Sequence, residues 1–563
     1  MDDDSGILED NSALLENDSA ILDDDSAKTS LYSSKSGITW SSIPCSSTKR
    51  NSSNDTSEKP GPTKFTENVS SMEDAFMCFM SEEIIQKILI YSNMERIRNT
   101  TSNGKKEEIT MMEIKAFIGL LLLGGLLGKS KKSIRSLSRR SPIESPIFKA
   151  TMSRDRFEKI ISWLRFDDKT TREERRKTDK LAAIREIWSD FQDNLKLCYI
   201  PGSYITIDEQ LLPFRGRCPF RQYIPKKPHK YGITFWLCAD VDSYYVFNAF
   251  PYIGRQPDQE RQTQIGASVV LELLQPLYGS NRNVTIDNFF TSVPLAKELQ
   301  MKNLTLIGTL RKNKAEIPIE FQPNKKRQIG SSLFGFHDGL TLVSFVPKRN
   351  TAVLLLSSKH HDNQVDMKTG KPIIILDYNK TKGAVDMVDQ MCHKFTVKRD
   401  FLFYISVFYF LQVKRGTKRW PLCIFYGMID IAALNALIVW KAKNPQWNKN
   451  KKYQRRLFLE ELGLSLVSSL LDFRSKTSKF LKKDIENALA LVGYPMVKNL
   501  QEPEPEPEPN ENSTQPKKRK RCSICERSKD KKTSIQCCRC SEFVCNEHSV
   551  NLIYCINCSK IKK

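Results

Sequence analysis

The sequence has no Lys or Arg among its first 26 residues, and it has no apolar run long enough to span a membrane. The longest such run, from Ala116 to Gly128, is shorter than the ~20 residues that a transmembrane helix needs, so it predicts a buried helix. The acidic start also differs from the basic and then apolar pattern of a secretory signal. We therefore expect neither secretion nor a membrane partner.

Paired cysteines are lacking outside the C-terminal end of the chain. Of 15 cysteines, eight lie between Cys522 and Cys558, and the others are scattered. The scattered ones are Cys45, Cys78, Cys198, Cys218, Cys238, Cys392 and Cys423. Single, separated cysteines are typical of proteins from a reducing compartment.

Positive charge is plentiful but unevenly distributed. The chain has 88 Lys and Arg against 65 Asp and Glu, a net charge of +23, and ten of those acids lie in the first 26 residues. The remaining residues therefore carry +33. Such a basic body favours a polyanionic partner, since neutralising phosphates releases counterions. A solvated basic surface is the alternative that net charge alone leaves open.

The N-terminal composition predicts an interaction tail. Residues 1–26 repeat an apolar pair every seven residues among acids, a pattern too short and too acidic to form a helix alone. We expect this acidic tail to be disordered when free and to bind another protein. The Ser-, Thr- and Asn-rich stretch from Lys28 to Glu67 extends the predicted disorder over 1–71.

Periodicity predicts the fold class from Met72 onward. Helical spacing of apolar residues covers 72–203. From Tyr204 to Leu310 the pattern reads strand, strand, strand, helix, strand, helix, strand, with acids ending the first and fourth strands. This order is that of the ribonuclease-H-like arrangement, a fold name assigned by analogy. The predicted class is multidomain α/β: a ribonuclease-H-like catalytic core with an insertion domain, flanked by helical segments and followed by a small zinc module.

Composition also sets the predicted domain boundaries. The core resumes after the insertion, with Ile373 to Leu376 expected as a strand and Lys382 to Met391 as a helix. After the helical region 72–203, the predicted segments are the first part of the core (204–313), the insertion domain (314–372), the second part of the core (373–396), a second helical region (397–495), a Glu-Pro linker with a basic signal (496–521) and a Cys-rich zinc domain (522–563).

A four-residue sequence motif that occurs twice, with a change in its last residue, marks the candidate active site. Thr206-Ile-Asp-Glu and Thr285-Ile-Asp-Asn each place an acid, Asp208 or Asp287, at the end of a β-branched run. A third acid, Asp386, follows in a predicted helix, with Asp389 on the same face at i+3. Three carboxylates in this order predict a polynucleotidyl-transfer site that holds two divalent metals, Mg²⁺ or Mn²⁺. Taken singly, each would more often be a surface acid.

A basic segment with interleaved aromatic residues follows Asp208. Its cations suit contacts with a DNA backbone beside the catalytic site, and a solvated loop is the alternative for individual members. The candidate contacts are Arg215, Arg217, Arg221, Lys226, Lys227 and Lys230.

The C-terminal end predicts a nuclear, zinc-binding module. Glu502 to Pro509 alternates Glu with Pro, which predicts an extended spacer. The run Pro516-Lys-Lys-Arg-Lys-Arg521 favours a nuclear localisation signal over simple phosphate contact. Four ligand pairs follow, enough for two closed Zn²⁺ sites, and a disulfide knot conflicts with a nuclear address. Those pairs are Cys522 with Cys525, Cys537 with Cys540, Cys545 with His548, and Cys555 with Cys558.

Spacing alone does not fix the zinc ligand pairing. A cross-brace would join the first and third pairs at one metal and the second and fourth at the other. Cys538 is a surplus cysteine and is predicted to be a bystander. A module of this kind could bind DNA, a histone tail or a ubiquitin-conjugating enzyme.

Several long motifs resemble those of piggyBac transposases. The resemblance runs from about Met72 through the terminal cysteine module and spares the acidic tail. The motifs are Thr206–Pro225 (TIDEQLLPFRGRCPFRQYIP), Lys230–Ile233 (KYGI), Asp287–Ser292 (DNFFTS), Gly308–Asn313 (GTLRKN), Lys382–Cys392 (KGAVDMVDQMC) and Arg419–Pro421 (RWP).

The resemblance implies a function and a set of roles. It implies a DDD transposase in which Asp208, Asp287 and Asp386 bind metal and Asp389 is a nearby acid that activity needs. It implies cut-and-paste movement at TTAA sites of double-stranded DNA through hairpinned transposon ends. The helical segments would dimerise and bind DNA, the cross-braced zinc module would bind the terminal repeats, and Trp420 would lie near the active site.

One segment departs from the family pattern. Between Arg399 and Gly416 the chain carries an aromatic and apolar stretch, and Val413-Lys-Arg repeats Val397-Lys-Arg. The codons implied by this stretch suggest a translated splice-acceptor tract. We interpret residues 400–415 as a retained intron, with a true apolar insertion as the alternative.

Two other function classes stay open. A domesticated, DNA-binding chromatin protein could keep the acids without mobility. A ubiquitin ligase acting through the zinc module is disfavoured, because the three acids would then have no role.

Overall fold

The computed structural model describes residues 29–44, 58–99, 108–127, 146–225, 227–255, 264–398, 417–477, 481–496, 520–529, 531–537, 540–550 and 554–555. The chain divides into two compact units, Met1–Met496 and Val497–Lys563. The predicted retained intron and Glu-Pro linker lie outside the described residues.

In the larger unit, helices come before, between and after the strands of the sheet along the chain. Ser or Thr caps begin several of them, and Ser71 and Thr110 form capping boxes with Asp74 and Glu113. The helices before the sheet are α1 Met72–Met77, α2 Glu82–Arg98, α3 Met111–Leu126, α4 Pro146–Thr151, α5 Arg154–Trp163, α6 Arg172–Arg175 and α7 Arg185–Leu197. Those within and after it are α8 Ile265–Leu274, α9 Val293–Met301, α10 Ile373–Thr381, α11 Ala384–Lys394, α12 Trp420–Lys443, α13 Gln454–Thr477 and α14 Lys483–Leu491.

The strands of this unit form one large mixed sheet and one short pair. The pair is β3 with β4, and the remaining strands join a sheet in the order β1-β2-β11-β12-β13-β10-β9-β5-β7-β6, with β8 also paired to β7. Their bounds are β1 Leu31–Ser33, β2 Thr39–Ser41, β3 Gly61–Pro62, β4 Tyr199–Ile200, β5 Tyr204–Pro213, β6 Gln222–Tyr223, β7 Tyr231–Asp240, β8 Val246–Pro251, β9 Asn283–Ile286, β10 Thr305–Thr309, β11 Ser332–His337, β12 Leu340–Phe345 and β13 Val353–Ser357.

The centre of the sheet carries the predicted order of elements. Along the chain, β5, β7, β8, α8, β9, α9 and β10 follow one another, and only the two-residue strand β6 was not expected. The β5, β9 and β10 strands are mutually parallel, whereas β7 runs antiparallel to β5 and β8. β7 is buried along nearly its whole length, which fits a central strand with both faces covered.

The segment 314–372, predicted as an insertion domain, extends this same sheet. Its strands β11, β12 and β13 pair in sequence, and β13 runs antiparallel to β10. A small apolar cluster lies beneath them, where Ile307, Val343 and Leu355 are fully buried.

Ile373 to Leu376 is a helix, so the strand predicted there is wrong. The β-branched run Ile373-Ile-Ile favours a strand locally. In the fold it forms the first turn of α10, whose Ile374 and Ile375 are buried in the apolar cluster beneath β12 and β13. Tertiary burial of these two side chains outweighs their intrinsic preference.

The two helical regions pack against each other. α3 and α13 contact closely, and Gly119 makes this possible because a Cβ there would lie 2.8 Å from the carbonyl oxygen of Gly463. α12 is the one helix in the described part of the chain that is long and apolar enough to cross a membrane, and 89% of its most apolar window is buried within the protein. In the predicted second helical region, 397–495, the described residues form α12, α13 and α14.

Part of the region predicted as a disordered tail is instead folded onto the sheet. β1 and β2 form a hairpin, and Ser41 pairs with Phe336 of β11. Trp40 is fully buried and donates from Nε1 to the carbonyl oxygen of Glu316 at 3.0 Å. One large aromatic side chain thus fixes a segment whose overall composition is polar. The acidic residues 1–28 lie outside the described residues.

The described residues of the C-terminal unit form only a small apolar core. Its described strands form two short pairs, and the buried Cys537 and Val544 contact the half-buried Ile524 and Ile535. The strands are β14 Lys520–Arg521, β15 Lys532–Thr533, β16 Ser549–Val550 and β17 Tyr554–Cys555.

Candidate active site, basic cleft and cysteine cluster

Strand register places Asp208 and Asp287 side by side. β5 and β9 are parallel, and Ile207 pairs with Ile286. The next residue in each of these two segments is therefore one of the two acids. Asp208 lies within β5, and Asp287 directly follows β9. The repeated phrase in the sequence therefore marks two equivalent positions on adjacent strands.

Hydrogen bonds of two strand threonines, Thr206 and Thr285, show which face of the sheet these acids occupy. Thr206 donates to the carbonyl oxygen of Thr381 at 2.6 Å, and the hydroxyls of Thr285 and Thr381 are 2.7 Å apart. Alternate residues on a strand share a face, so Asp208 and Asp287 face the same side as these threonines. Thr381 ends α10 immediately before α11, the helix that carries Asp386.

α11 then runs along β5. Asp389, one helical turn after Asp386, accepts a hydrogen bond from Nε2 of Gln210 at 3.0 Å. Gln210 is two residues after Asp208 on the same face of β5. The step from Asp386 to Asp389 on the helix therefore runs alongside the step from Asp208 to Gln210 on the strand. Asp389 is thereby tied to a side chain of the sheet, a role that differs from that of the other three acids.

The candidate active site brings several carboxyl groups together in a partly buried environment. Burial, then the carboxyl group of Glu209 and the charge of Asp287, raise the pKa of Asp208 well above its usual value. Burial also raises the pKa of Asp287, although the Phe289 N–H opposes this. Carboxylates held together in this way repel one another, and a divalent cation relieves the repulsion.

Tyr378 on α10 lies beside all three acids. Burial raises the pKa of Tyr378 to about 12, against a hydrogen bond with Thr309, and the charges of Asp287, Asp208 and Asp386 act in the same direction as burial. All three carboxylates of the predicted triad are therefore near enough to Tyr378 to raise its pKa. Hard oxygen ligands of this kind suit Mg²⁺ or Mn²⁺.

Lys227 is a cation close to Glu209, Asp208 and Asp386. Its Nζ is 3.3 Å from the carboxylate of Glu209, and the group is only partly exposed. Burial lowers the pKa of Lys227, but Glu209, Asp208 and Asp386 raise it by more. Of the predicted DNA contacts, Lys227 is thus placed at the acids, Lys230 is exposed in the loop before β7, and Lys226 lies outside the described residues.

A polar network that the sequence did not reveal anchors α10. Asp377 accepts from Nζ of Lys359 at 2.9 Å and lies 3.1 Å from Nε2 of His360, and Lys359 also donates to the hydroxyl of Tyr204 at 2.8 Å. The His360 hydrogen bond, more than the ion pair with Lys359, keeps the pKa of Asp377 far below its usual range. These residues fix the helix that ends at Thr381.

The other predicted DNA contacts meet in a basic cleft of about 780 Å³. Arg215, Arg217 and Arg221 line one wall, and Trp420 lies against Phe220 with ring centroids 5.0 Å apart. The cleft also contains cations that the sequence alone did not single out. These are Arg165, Lys169, Arg172, Arg176 and Arg419.

In the C-terminal unit, four of the predicted zinc ligands form a cluster. Cys522, Cys525, Cys545 and His548 have ligand atoms all within 4.8 Å of one another, the only such set of three or more Cys, His or acid side chains in the parts of the chain that the structure describes. The Sγ atoms of Cys525 and Cys545 are 3.7 Å apart. A tetrahedral Zn²⁺ with bonds of ~2.3 Å would hold two sulfurs about 3.8 Å apart, so these residues fit zinc.

Backbone N–H groups prepare the cluster for a cation. Burial of the Cys522 thiol is outweighed by the N–H groups of Cys545, Ile524 and Cys525, which lower its pKa to about 6. The remaining predicted ligands are less fully described. Cys537 is buried and Cys540 is exposed, Cys555 is described in its backbone only, and Cys558 lies outside the described residues.

Comparisons with known proteins identify the family of this chain. Residues 72–437 match the family model described as Transposase IS4. The chain is 36% identical to a chain from the cryo-EM structure of a piggyBac transposase synaptic complex with hairpin DNA. That match has a TM-score of 0.73 and covers 89% of this chain and 100% of the other.

Human relatives are more distant. PiggyBac transposable element-derived protein 3 is 26% identical over 335 residues, which span 56% of this chain and 55% of the relative. PiggyBac transposable element-derived protein 2 is 24% identical over 412 residues, or 68% of each chain. The match thus spans only about half the length of the first of these relatives. The resemblance seen in the sequence motifs is confirmed, and the chain belongs to the piggyBac family of transposases.

Proposed function

We propose that the protein is a DDD-type DNA transposase, a metal-dependent polynucleotidyl transferase with a ribonuclease-H-like core. The observation that carries the proposal is that Asp208 and Asp287 lie side by side on two adjacent parallel strands and that both, together with Asp386, act on the pKa of Tyr378. Burial and the neighbouring Glu209 raise the pKa of both Asp208 and Asp287. The strand order β8-β7-β5-β9-β10 supports the fold name.

The reaction class follows from the ligand set. In strand cleavage, the oxygen of a water molecule attacks the scissile phosphorus and loses its proton, and the bond from phosphorus to the 3′ oxygen breaks. In strand joining, the freed 3′-hydroxyl attacks a phosphorus of the target in the same way. Two divalent ions, when bound, supply an activated attacking oxygen and stabilise the leaving oxygen.

The residues of this chain have separate tasks in that reaction. Asp208, Asp287 and Asp386 would hold the ions, since all three acids act on the same side chain, Tyr378. Gln210 and Asp389 keep α11 aligned with β5 through their hydrogen bond. Lys227, paired with Glu209, balances the negative charge beside the scissile phosphate. Residues with separate tasks predict separate phenotypes: loss of a ligand stops the reaction, whereas loss of the Gln210 contact slows it.

Further family properties complete the proposal. We propose cut-and-paste movement at TTAA sites through hairpinned ends, which similarity to a transposase solved with hairpin DNA supports. We also propose a nuclear homodimer, with a cross-braced module that binds two Zn²⁺ and the terminal repeats. Clustering of Cys522, Cys525, Cys545 and His548 supports one of its two sites.

A nicking assay tests the central claim. The purified protein is incubated with Mg²⁺ or Mn²⁺ and a duplex that carries the gene's flanking sequence and TTAA, beside Asp208→Asn and Asp287→Asn. We expect metal-dependent cleavage by the wild type alone, with all three proteins binding the duplex. Binding without cleavage by the wild type would favour the second candidate, a domesticated chromatin protein, which similarity to the human PiggyBac-derived proteins also supports. Cleavage by either variant would remove that acid from the site.

A further inference from the structure

One face of β5 contacts α10 and α11 through a row of side chains. Thr206, Asp208 and Gln210 lie on this face, because strand residues two apart point to the same side. Thr206 donates to the carbonyl oxygen of Thr381, at the end of α10. Gln210 donates to Asp389 of α11. Asp208 therefore lies between two contacts that hold the strand and the helices together.

Tyr204 begins the same face of β5 and extends this row of contacts. Its hydroxyl accepts from Nζ of Lys359 at 2.8 Å, and Lys359 also donates to Asp377 of α10 at 2.9 Å. Asp377 lies 3.1 Å from Nε2 of His360. The other ring nitrogen of His360 is 3.0 Å from the hydroxyl of Ser357, the last residue of β13. These contacts tie the middle of α10 to β5 and to the end of β13.

Asp377 and Thr381 lie one helical turn apart on α10 and are linked to each other. The hydroxyl of Thr381 donates to the carbonyl oxygen of Asp377 at 2.8 Å and is 2.7 Å from the hydroxyl of Thr285 on β9. Only Lys382 and Gly383 separate the end of α10 from the start of α11, the helix that carries Asp386. A connection this short passes a shift of α10 directly to Asp386.

The level of Asp208 is the place where the row has no hydrogen bond across it. Asp208 accepts from the N–H of Glu209 at 2.8 Å, and in the described part of the chain no hydrogen bond joins it to α11. Ionised carboxylates have no proton to donate, so Asp208 and Asp386 cannot bond to each other, but both can bind one cation. The width of the gap between them is set by the contacts on either side.

We propose that Asp377 and Thr381 are positioning residues that set the affinity of the three catalytic acids for a divalent cation. The inference rests on the proposed function, in which Asp208, Asp287 and Asp386 hold that cation. Hydrogen bonds and ion pairs fix the direction of a helix, whereas apolar contacts are non-directional. Groups that orient metal ligands without touching the metal typically change its affinity about 10- to 100-fold when they are removed.

The test measures Mn²⁺ binding to the full-length protein, with zinc present, from the electron paramagnetic resonance signal of free Mn²⁺. Asp377→Asn is compared with wild type and with Asp190→Asn. Asp190, on α7, is a matched control because it also pairs with a lysine, Lys87, at 2.7 Å, and its side chain is 34% exposed against 32% for Asp377. Asp208→Asn identifies the Mn²⁺ that the acids bind.

The expected result is a change in metal affinity without a change in the maximal rate. Asp377→Asn should bind this Mn²⁺ about tenfold more weakly than wild type, and Asp190→Asn should bind it equally well. Nicking by Asp377→Asn should need about tenfold more Mn²⁺ to reach half its maximal rate, and at saturating metal the rate should be within about twofold of wild type. DNA affinity without metal should be unchanged.

A second pair of variants tests the other end of the link. Thr381→Val keeps the shape of the side chain and removes the hydroxyl, whereas Thr381→Ser keeps the hydroxyl. We expect Thr381→Val to bind Mn²⁺ about tenfold more weakly and Thr381→Ser to bind it like wild type. If Asp377→Asn melts at a lower temperature than Asp190→Asn, this pair decides the question.

The outcomes separate the positioning role from the proposed catalysis. Equal Mn²⁺ affinity in Asp377→Asn, Thr381→Val and wild type would overturn the positioning role. An equal loss in Asp190→Asn or Thr381→Ser would also overturn it, because the effect would then be general. If wild type binds the Mn²⁺ that Asp208→Asn loses but never nicks DNA, the catalysis fails and the affinities still decide the positioning role. If Asp208→Asn loses no Mn²⁺, both proposals are wrong.

Discussion

The two units of this protein hold their candidate metal ligands by different means. In the larger unit, Asp208 and Asp287 lie on a buried sheet, and Asp386 lies on α11, whose Val385 and Val388 are buried in the core. In the C-terminal unit, four candidate ligands form a cluster, and the apolar core among the described residues contains two buried side chains, Cys537 and Val544. A catalytic site built on a core can fold before its ions arrive, whereas a small unit with so little core needs its ion to fold.

Replacement of a catalytic acid should separate activity from stability. We expect Asp208→Asn to reduce nicking by at least about 10³-fold, because a metal ligand is lost. The same change should raise the free energy of unfolding without metal, since burial and the neighbouring acids raise the pKa of Asp208 and so disfavour its charged form. Activity and thermal melting with and without Mg²⁺ check both parts. A destabilised variant would mean that the core does not hold this acid independently of metal.

Loss of a cysteine ligand should instead reduce the stability of the unit that contains it. Cys522→Ser is expected to unfold the C-terminal unit and leave the melting of the larger unit unchanged, and a zinc chelator should do the same to wild type. Cys538→Ser is the control, since spacing predicts that Cys538 is a bystander. Metal analysis of the full chain should find two zinc ions, and it should find fewer in Cys522→Ser. A C-terminal unit that stays folded without zinc would break the contrast between the units.

The N-terminal hairpin tests how far the core of the larger unit extends. Trp40 is fully buried against the sheet, so Trp40→Ala should lower the free energy of unfolding by about 3–5 kcal/mol. Denaturant unfolding measures this loss, with Tyr32→Ala, a half-buried neighbour, expected to lose less. A change below about 1 kcal/mol in Trp40→Ala would show that the hairpin is not part of the cooperative core.

Asp430 offers a pH test of the same core. Burial raises its pKa to about 7, although Thr396, Val397, Arg455 and Lys398 all favour the charged form. A folded pKa above the usual 3.8 gives stability that is present below that value and is lost as pH rises through about 7. Wild type should therefore lose on the order of 2 kcal/mol between pH 5 and pH 7 that Asp430→Asn does not lose. The exposed Asp155→Asn should follow wild type, and parallel curves for all three would contradict the assignment.

The smallest expected change concerns the aromatic segment outside the described residues. Deleting Asp400 through Arg415 joins Arg399 to Gly416 and restores a continuous basic lead-in to Trp420. Apolar side chains without an added surface to cover them favour association, so we expect the shortened protein to be more soluble and more active. Sedimentation and nicking assays measure this. Mature transcripts that all contain the segment, together with full activity of the long chain, would establish it as a true insertion.

Local signals in the sequence predicted the site but not its surroundings. The repeated motif pointed to Asp208 and Asp287 because side chains alternate along a strand with a short, fixed period. That these two strands pair in parallel, with the acids side by side, was decided by the fold. The basic cleft was only half predicted, since Arg176 and Arg217 lie on segments that only the tertiary fold brings together. The Lys359, His360 and Asp377 network was missed for the same reason.

The sequence by itself determined the candidate acids, the cysteine and histidine spacing, the helix caps and the family. These properties depend on neighbouring residues, on a fixed period, or on motifs that need no fold to be read. Only the tertiary structure decided that Ile373–Thr381 is a helix and that Trp40 is a core residue. In both places, burial against residues distant in the chain outweighs what the local sequence favours, and burial of that kind exists only once the sheet has formed.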